Sequence, residues 1–93
     1  MLGNFARSIA GHDKGRLYII IEETDTLLTL VDGRQRTLEK PKQKNRKHVQ
    51  VMKRCCNEEL ITKLRNHQTI SNEKVKRAIK LYELEVSECQ KSM

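Results

Sequence analysis

Nine basic side chains crowd into residues 34 to 54, namely Arg34, Arg36, Lys40, Lys42, Lys44, Arg46, Lys47, Lys53 and Arg54, against the single acid Glu39. The segment carries +8, which leaves the other 72 residues at −1 of the chain's +7. Ammonium and guanidinium groups at this density attract phosphate. They displace condensed counterions, so affinity falls steeply with salt and carries little base preference of its own. An isolated basic run is more often a solvated face than a site. Three features favour a binding surface here: the near-neutral remainder, the pairing of Arg34 with Arg36 on one strand face, and the run's position inside the chain rather than at a terminus. Cations held by a fold lose less entropy on binding than those of a loose tail.

A second group lies in Gly11-His12-Asp13-Lys14-Gly15-Arg16. Two glycines supply the positive φ angles of a tight turn, so Gly11 and Gly15 are expected to shape it, with Lys14 and Arg16 adding cations. The phosphate-loop and dinucleotide patterns are both absent. His12 stands beside Lys14, where it is either a donor to phosphate or an idle surface imidazole. Zinc lacks support, because no CxxC or HxxxH occurs and the adjacent Cys55 and Cys56 cannot easily aim both thiolates at one ion. Catalysis lacks it too. Glu22, Glu23 and Asp25 read as an exposed acidic corner, and a Cys55 or Cys56 nucleophile near Lys53 and Arg54 would have no identifiable base. No enzyme activity, metal or cofactor is therefore expected.

These groups need elements to hold them. At 93 residues, with three aromatics and no Trp, the chain can build one small, aliphatic core. Its first half reads as short strands: an opening one around Phe5 to Ile9, a central one at Arg16 to Ile21, and a third at Leu27 to Val31. Asp32-Gly33 then suggests a two-residue hairpin turn into Arg34 to Leu38, placing Arg34 and Arg36 on one face. Lys40 to Lys47, with Pro41, reads as a solvated loop, and a last strand starts around His48 to Val51. Five short strands around a thin core suit a small closed barrel. From Asn57, a plausible N-cap, the period becomes helical. Leu60, Ile61 and Leu64 mark one helix, while Val75, Ala78, Ile79, Tyr82 and Val86 mark a longer one capped by Ser71 or Asn72. The opposite face of that helix, with Lys74, Lys76, Arg77, Lys80, Glu83 and Glu85, reads as solvated.

Ser8-Ile9-Ala10-Gly11-His12-Asp13-Lys14-Gly15-Arg16, followed by Ile19-Ile20-Ile21 and an acidic turn, resembles the KOW motif, a strand-loop-strand element of ribosomal and transcription-elongation proteins. Gly15 occupies the place of the hallmark glycine and Lys14 precedes it as is usual, whereas Leu17 and Tyr18 stand where many members carry a second glycine. With Val31-Asp32-Gly33-Arg34, Leu38-Glu39-Lys40-Pro41-Lys42 and Lys47-His48-Val49, the chain is similar to bacterial KOW-domain proteins related to the L-fourteen-e ribosomal protein. Ile70 to Ile79 is similar to their helical tail. The resemblance implies an SH3-like barrel that binds RNA in a ribosomal or ribosome-associated setting.

The expected fold is thus α+β: a five-stranded SH3-like β-barrel of KOW type over residues 1–54, with a basic loop at 40–47, and a two-helix extension over 55–93. The expected ligands of RNA phosphate and sugar are Lys14, Arg16, Arg34, Arg36, Lys40, Lys42, Lys44, Arg46 and Lys47. Phe5 and Tyr82 are read as core and Tyr18 as barrel wall, the one ring that could otherwise reach a base. With so little stacking surface, structured RNA read by backbone and shape is favoured, ribosomal RNA first and ribosomal proteins as further partners. Two rival readings are a protein-interaction module and a nonspecific binder of duplex DNA. The longest apolar run is five residues, Leu17 to Ile21, against the roughly 20 of a bilayer span, and no secretory pattern opens the chain. A cytoplasmic location without membrane insertion is expected.

Overall fold

A computed structural model describes residues 2–56 and 58–91, excepting the side chains of 86–91. Five strands, β1 (Asn4–Ser8), β2 (Leu17–Glu23), β3 (Leu27–Val31), β4 (Lys42–Asn45) and β5 (Val49–Cys55), precede two helices, α1 (Glu58–Arg65) and α2 (Asn72–Lys91). One 3-10 turn, Arg46–His48, joins β4 to β5. All neighbouring strands are antiparallel in the order β4-β3-β2-β1-β5. The α+β class therefore holds, but the sheet is open where a closed barrel was expected. No ladder joins β4 to β5. The four residues of β4 are all polar, and the chain leaves them at once through the 3-10 turn.

Alternation explains how so short a chain buries two layers. Ala6, Tyr18, Ile20, Leu28, Leu30 and Val49 pack together on one face of the sheet. Phe5, Ile19 and Val31 point the other way and meet Leu60, Val75, Ala78 and Ile79 from the helices. Successive strand side chains alternate faces, so the continuous apolar run Tyr18-Ile19-Ile20 feeds both cores, as a strand buried on two sides requires. Tyr82 of α2 stacks on Phe5 with ring centroids 4.4 Å apart. Of the expected apolar helix faces, Leu60, Ile61, Val75, Ala78, Ile79 and Tyr82 are thus packed on the sheet, while Leu64 is only partly buried and stands outside this cluster. Asn57 lies outside the described residues, as do the side chains of Val86 and Cys89. Ser71 caps α2, its Oγ accepting from the Lys74 N–H at 3.2 Å. No helix among the described residues is long and apolar enough to cross a membrane.

The region after Val31 departs from expectation. Residues 34–38 form no strand, and Asp32-Gly33 is no two-residue hairpin turn. Instead a loop over 32–41 leads to β4, which pairs with β3 through Leu28 opposite Lys44 and Leu30 opposite Lys42. The Asp32 carboxylate accepts from the Arg34 and Arg36 N–H groups at 2.8 and 2.9 Å, closing the chain into a side-chain-stabilised turn. Gly33 adopts φ +78° against the start of α2, where a Cβ would lie 2.4 Å from the Asn72 carbonyl oxygen. Asn72 completes the clip: its Oδ1 accepts from the Leu38 N–H at 2.8 Å and its Nδ2 donates to Glu39 at 3.0 Å. Arg34, Gln35 and Arg36 are all exposed, so no buried face rewards a ladder there. The tract read as a solvated loop supplies the strand instead, because Lys44 finds buried partners for its charge.

Candidate nucleic-acid interface

The glycine turn between β1 and β2 has the expected backbone, with φ +88° at Gly11 and +92° at Gly15. Its centre is Asp13. One carboxylate oxygen accepts from the Ser8 hydroxyl at 2.9 Å and from the Lys44 ammonium, and the other accepts from the Tyr18 hydroxyl at 2.8 Å and Lys42 at 3.0 Å. Lys44 also donates to Ser8 Oγ and the Ala10 carbonyl, each at 2.6 Å, so all three of its protons have acceptors. Burial would raise the Asp13 pKa, but the bonds from Lys44, Tyr18, Lys42 and Ser8 outweigh it and hold the carboxyl far below the usual aspartate range. Burial and the facing Asp13 charge push the Tyr18 phenol up to about 12. Tyr18 is 1% exposed, which seats it in the core away from any base.

This network divides the nine expected ligands. Lys44, its side chain 9% exposed, is spent inside the fold, and Lys42 shares the same carboxylate. Arg46 pairs with Glu23 at 3.0 Å and donates to the Thr24 carbonyl at 2.9 Å. Lys14, Arg16, Arg34, Arg36, Lys40 and Lys47 are at least partly exposed. The structure brings Arg16 and Arg34 together: Arg16 donates to Gln35, tying the glycine turn to the loop after β3.

Around that junction lies a groove of about 790 Å³. Its cations are Arg7, Arg16, Arg34, Lys76 and Lys80, facing only two acids, Asp32 and Glu83. Four separate parts of the fold meet there: β1, the glycine turn, the loop after β3 and α2. Arg7 projects from β1 and donates to the Gly15 carbonyl at 3.3 Å, while Lys76 and Lys80 stand one helical turn apart on α2. Arg7, Lys76 and Lys80 were not among the expected ligands. The signal for the two lysines was their i, i+4 spacing beside the buried Val75 and Ile79, which aims them at whatever borders the helix seam. For Arg7 it was its place between the buried Ala6 and Ser8. Leu17, Ile79 and Leu84 give the same groove an apolar side.

Among the described residues no cluster of three His, Cys, Asp or Glu side chains is placed to hold a metal. Cys55 is exposed and Cys56 buried; burial, with Cys55 beside it, pushes the Cys56 thiol up to about 11, far from thiolate reactivity at neutral pH. No protein-family model matches this chain, and no curated protein matches it.

Proposed function

We propose that this chain is an RNA-binding protein of the KOW type, without enzymatic activity, working in the cytoplasm as a ribosomal or ribosome-associated protein. The observation that carries the reading is the groove in which β1, the glycine turn, the loop after β3 and α2 converge five cations on one concave surface. Phosphates spaced along a structured RNA backbone suit such a cluster, and a groove fixed by secondary structure needs little ordering on binding. The SH3-like character of the sheet belongs to the same proposal. It is supported by a four-strand meander whose fifth strand returns beside the first after one 3-10 turn.

The test replaces Arg16, Arg34, Lys76 and Lys80 together by Gln and titrates the protein against an RNA hairpin at several salt concentrations. The plot of log affinity against log salt should become shallower by about 0.7 to 0.9 for each phosphate that the variant no longer neutralises. An unchanged slope would remove the groove from the interface. Tighter binding to duplex DNA than to the hairpin, in direct competition, would favour the DNA reading.

A further inference from the structure

The groove is not built for phosphate alone. A site for backbone only needs cations, yet this one places the acid Glu83 among them, and it keeps Leu84 52% exposed on an apolar side shared with Leu17 and Ile79. A carboxylate repels phosphate, and an exposed leucine gives it nothing. Both features suit a nucleobase, which offers a flat apolar face and an edge of N–H donors.

Resting on the RNA-binding reading, we propose that the groove receives one unpaired guanine nucleotide of a structured RNA. The base lies along Leu17, Ile79 and Leu84, its edge donates to Glu83, and the flanking phosphates meet Arg16, Arg34, Lys76 and Lys80. Guanine is selected by donor count. An ionised carboxylate only accepts, through two oxygens side by side. Guanine alone among the four bases presents two different N–H donors, on N1 and N2, side by side on its Watson–Crick edge, whereas cytosine and adenine offer one amino group and uracil one imide N–H. Asp32 is less suited, because one of its oxygens already accepts two backbone N–H groups. Glu83 makes no side-chain hydrogen bond or ion pair with any other described residue. The groove's volume of about 790 Å³ lies within the roughly 300–1,000 Å³ common to small-ligand sites, ample for a nucleotide.

The experiment titrates the full chain by fluorescence anisotropy against one hairpin stem in five forms, fully paired or with a single bulged G, A, C or U. The bulged-G stem should bind about tenfold more tightly than the other four, the discrimination expected of a bidentate base contact. Glu83→Gln should remove that preference, so that the bulged-G stem binds no more tightly than the stems with a bulged A, C or U. Equal, salt-sensitive binding to all five stems overturns the guanine assignment and leaves backbone recognition intact, and so does a preference for any bulge regardless of base. A bulged-G preference that survives in Glu83→Gln overturns the role of Glu83. If no stem binds at moderate salt, the RNA-binding reading itself fails, and this inference with it.

Discussion

Asp13 receives four side-chain hydrogen bonds, from Ser8, Tyr18, Lys42 and Lys44, and this density makes it the residue on which the glycine turn depends. Lys44→Met should lower unfolding free energy by about 2 kcal/mol in urea denaturation, because it removes one of the two cations on the largely buried Asp13 carboxylate and leaves Lys42, Tyr18 and Ser8 to hold it. Combined with Asp13→Asn, which keeps an acceptor for Tyr18, the loss should be smaller than the sum of the two single losses, because the shared ion pair is lost only once. The same network sets acid sensitivity. The folded carboxyl ionises well below the unfolded value of about 3.9, so its stabilisation is complete above that value and drains away as pH falls beneath it. Asp13→Asn should flatten the decline of stability below about pH 4. Tyr18 works from the alkaline side: with its phenol at about 12 when folded and about 10 when unfolded, its contribution is full below about pH 10 and is lost as pH rises through about 12. Absorbance titration of a Tyr82→Phe variant reports Tyr18 alone and should show a midpoint near 12. At this scale the sequence is legible in residue type only. A lysine in a polar run looks the same whether it meets solvent or a buried carboxylate, and Lys44 becomes distinct only through its register opposite Leu28.

Elements are more readable where their burial is periodic. β3 occupies the five residues its apolar run marks, and the buried stripe of α2 falls on Val75, Ala78 and Ile79 as their spacing requires. The loop after β3 is the opposite case, because Asp-Gly serves two turns equally well. Here α2 makes the choice, since its first turn receives Gly33, a partner nearly forty residues away that local pattern cannot show. Gly33→Ala should therefore cost on the order of 2 kcal/mol or more, combining left-handed strain with a backbone collision at Asn72. Gly15→Ala meets no atom within 4 Å and should cost only about 1 kcal/mol, from φ alone. Thermal melts of the two variants side by side decide the point, equal losses being contrary to this packing. Displacing the loop also moves Arg34 relative to Lys76, so on the RNA-binding proposal Gly33→Ala should weaken affinity for an RNA hairpin and Gly15→Ala much less.

For the molecule as a whole, the helices complete the core as much as they extend it. Phe5, Ile19 and Val31 would face water without Leu60, Val75 and Ile79. A fragment ending at residue 54 should accordingly show poor amide dispersion by NMR and aggregate, while the full chain stays dispersed. The sheet that these helices cover also remains open, and an open sheet exposes two rows of backbone donors and acceptors to any passing strand. One border, β4, is four residues long and wholly polar; the other, β5, sets Gln50, Lys53 and Arg54 toward solvent. A short polar border on one side and a charged one on the other discourage strand-to-strand addition, because a second copy would bring like charges into register and strip water from lysine. Part of the basic segment thus has a use that needs no ligand: it keeps neighbouring copies of the chain from zipping together when they crowd at high local concentration.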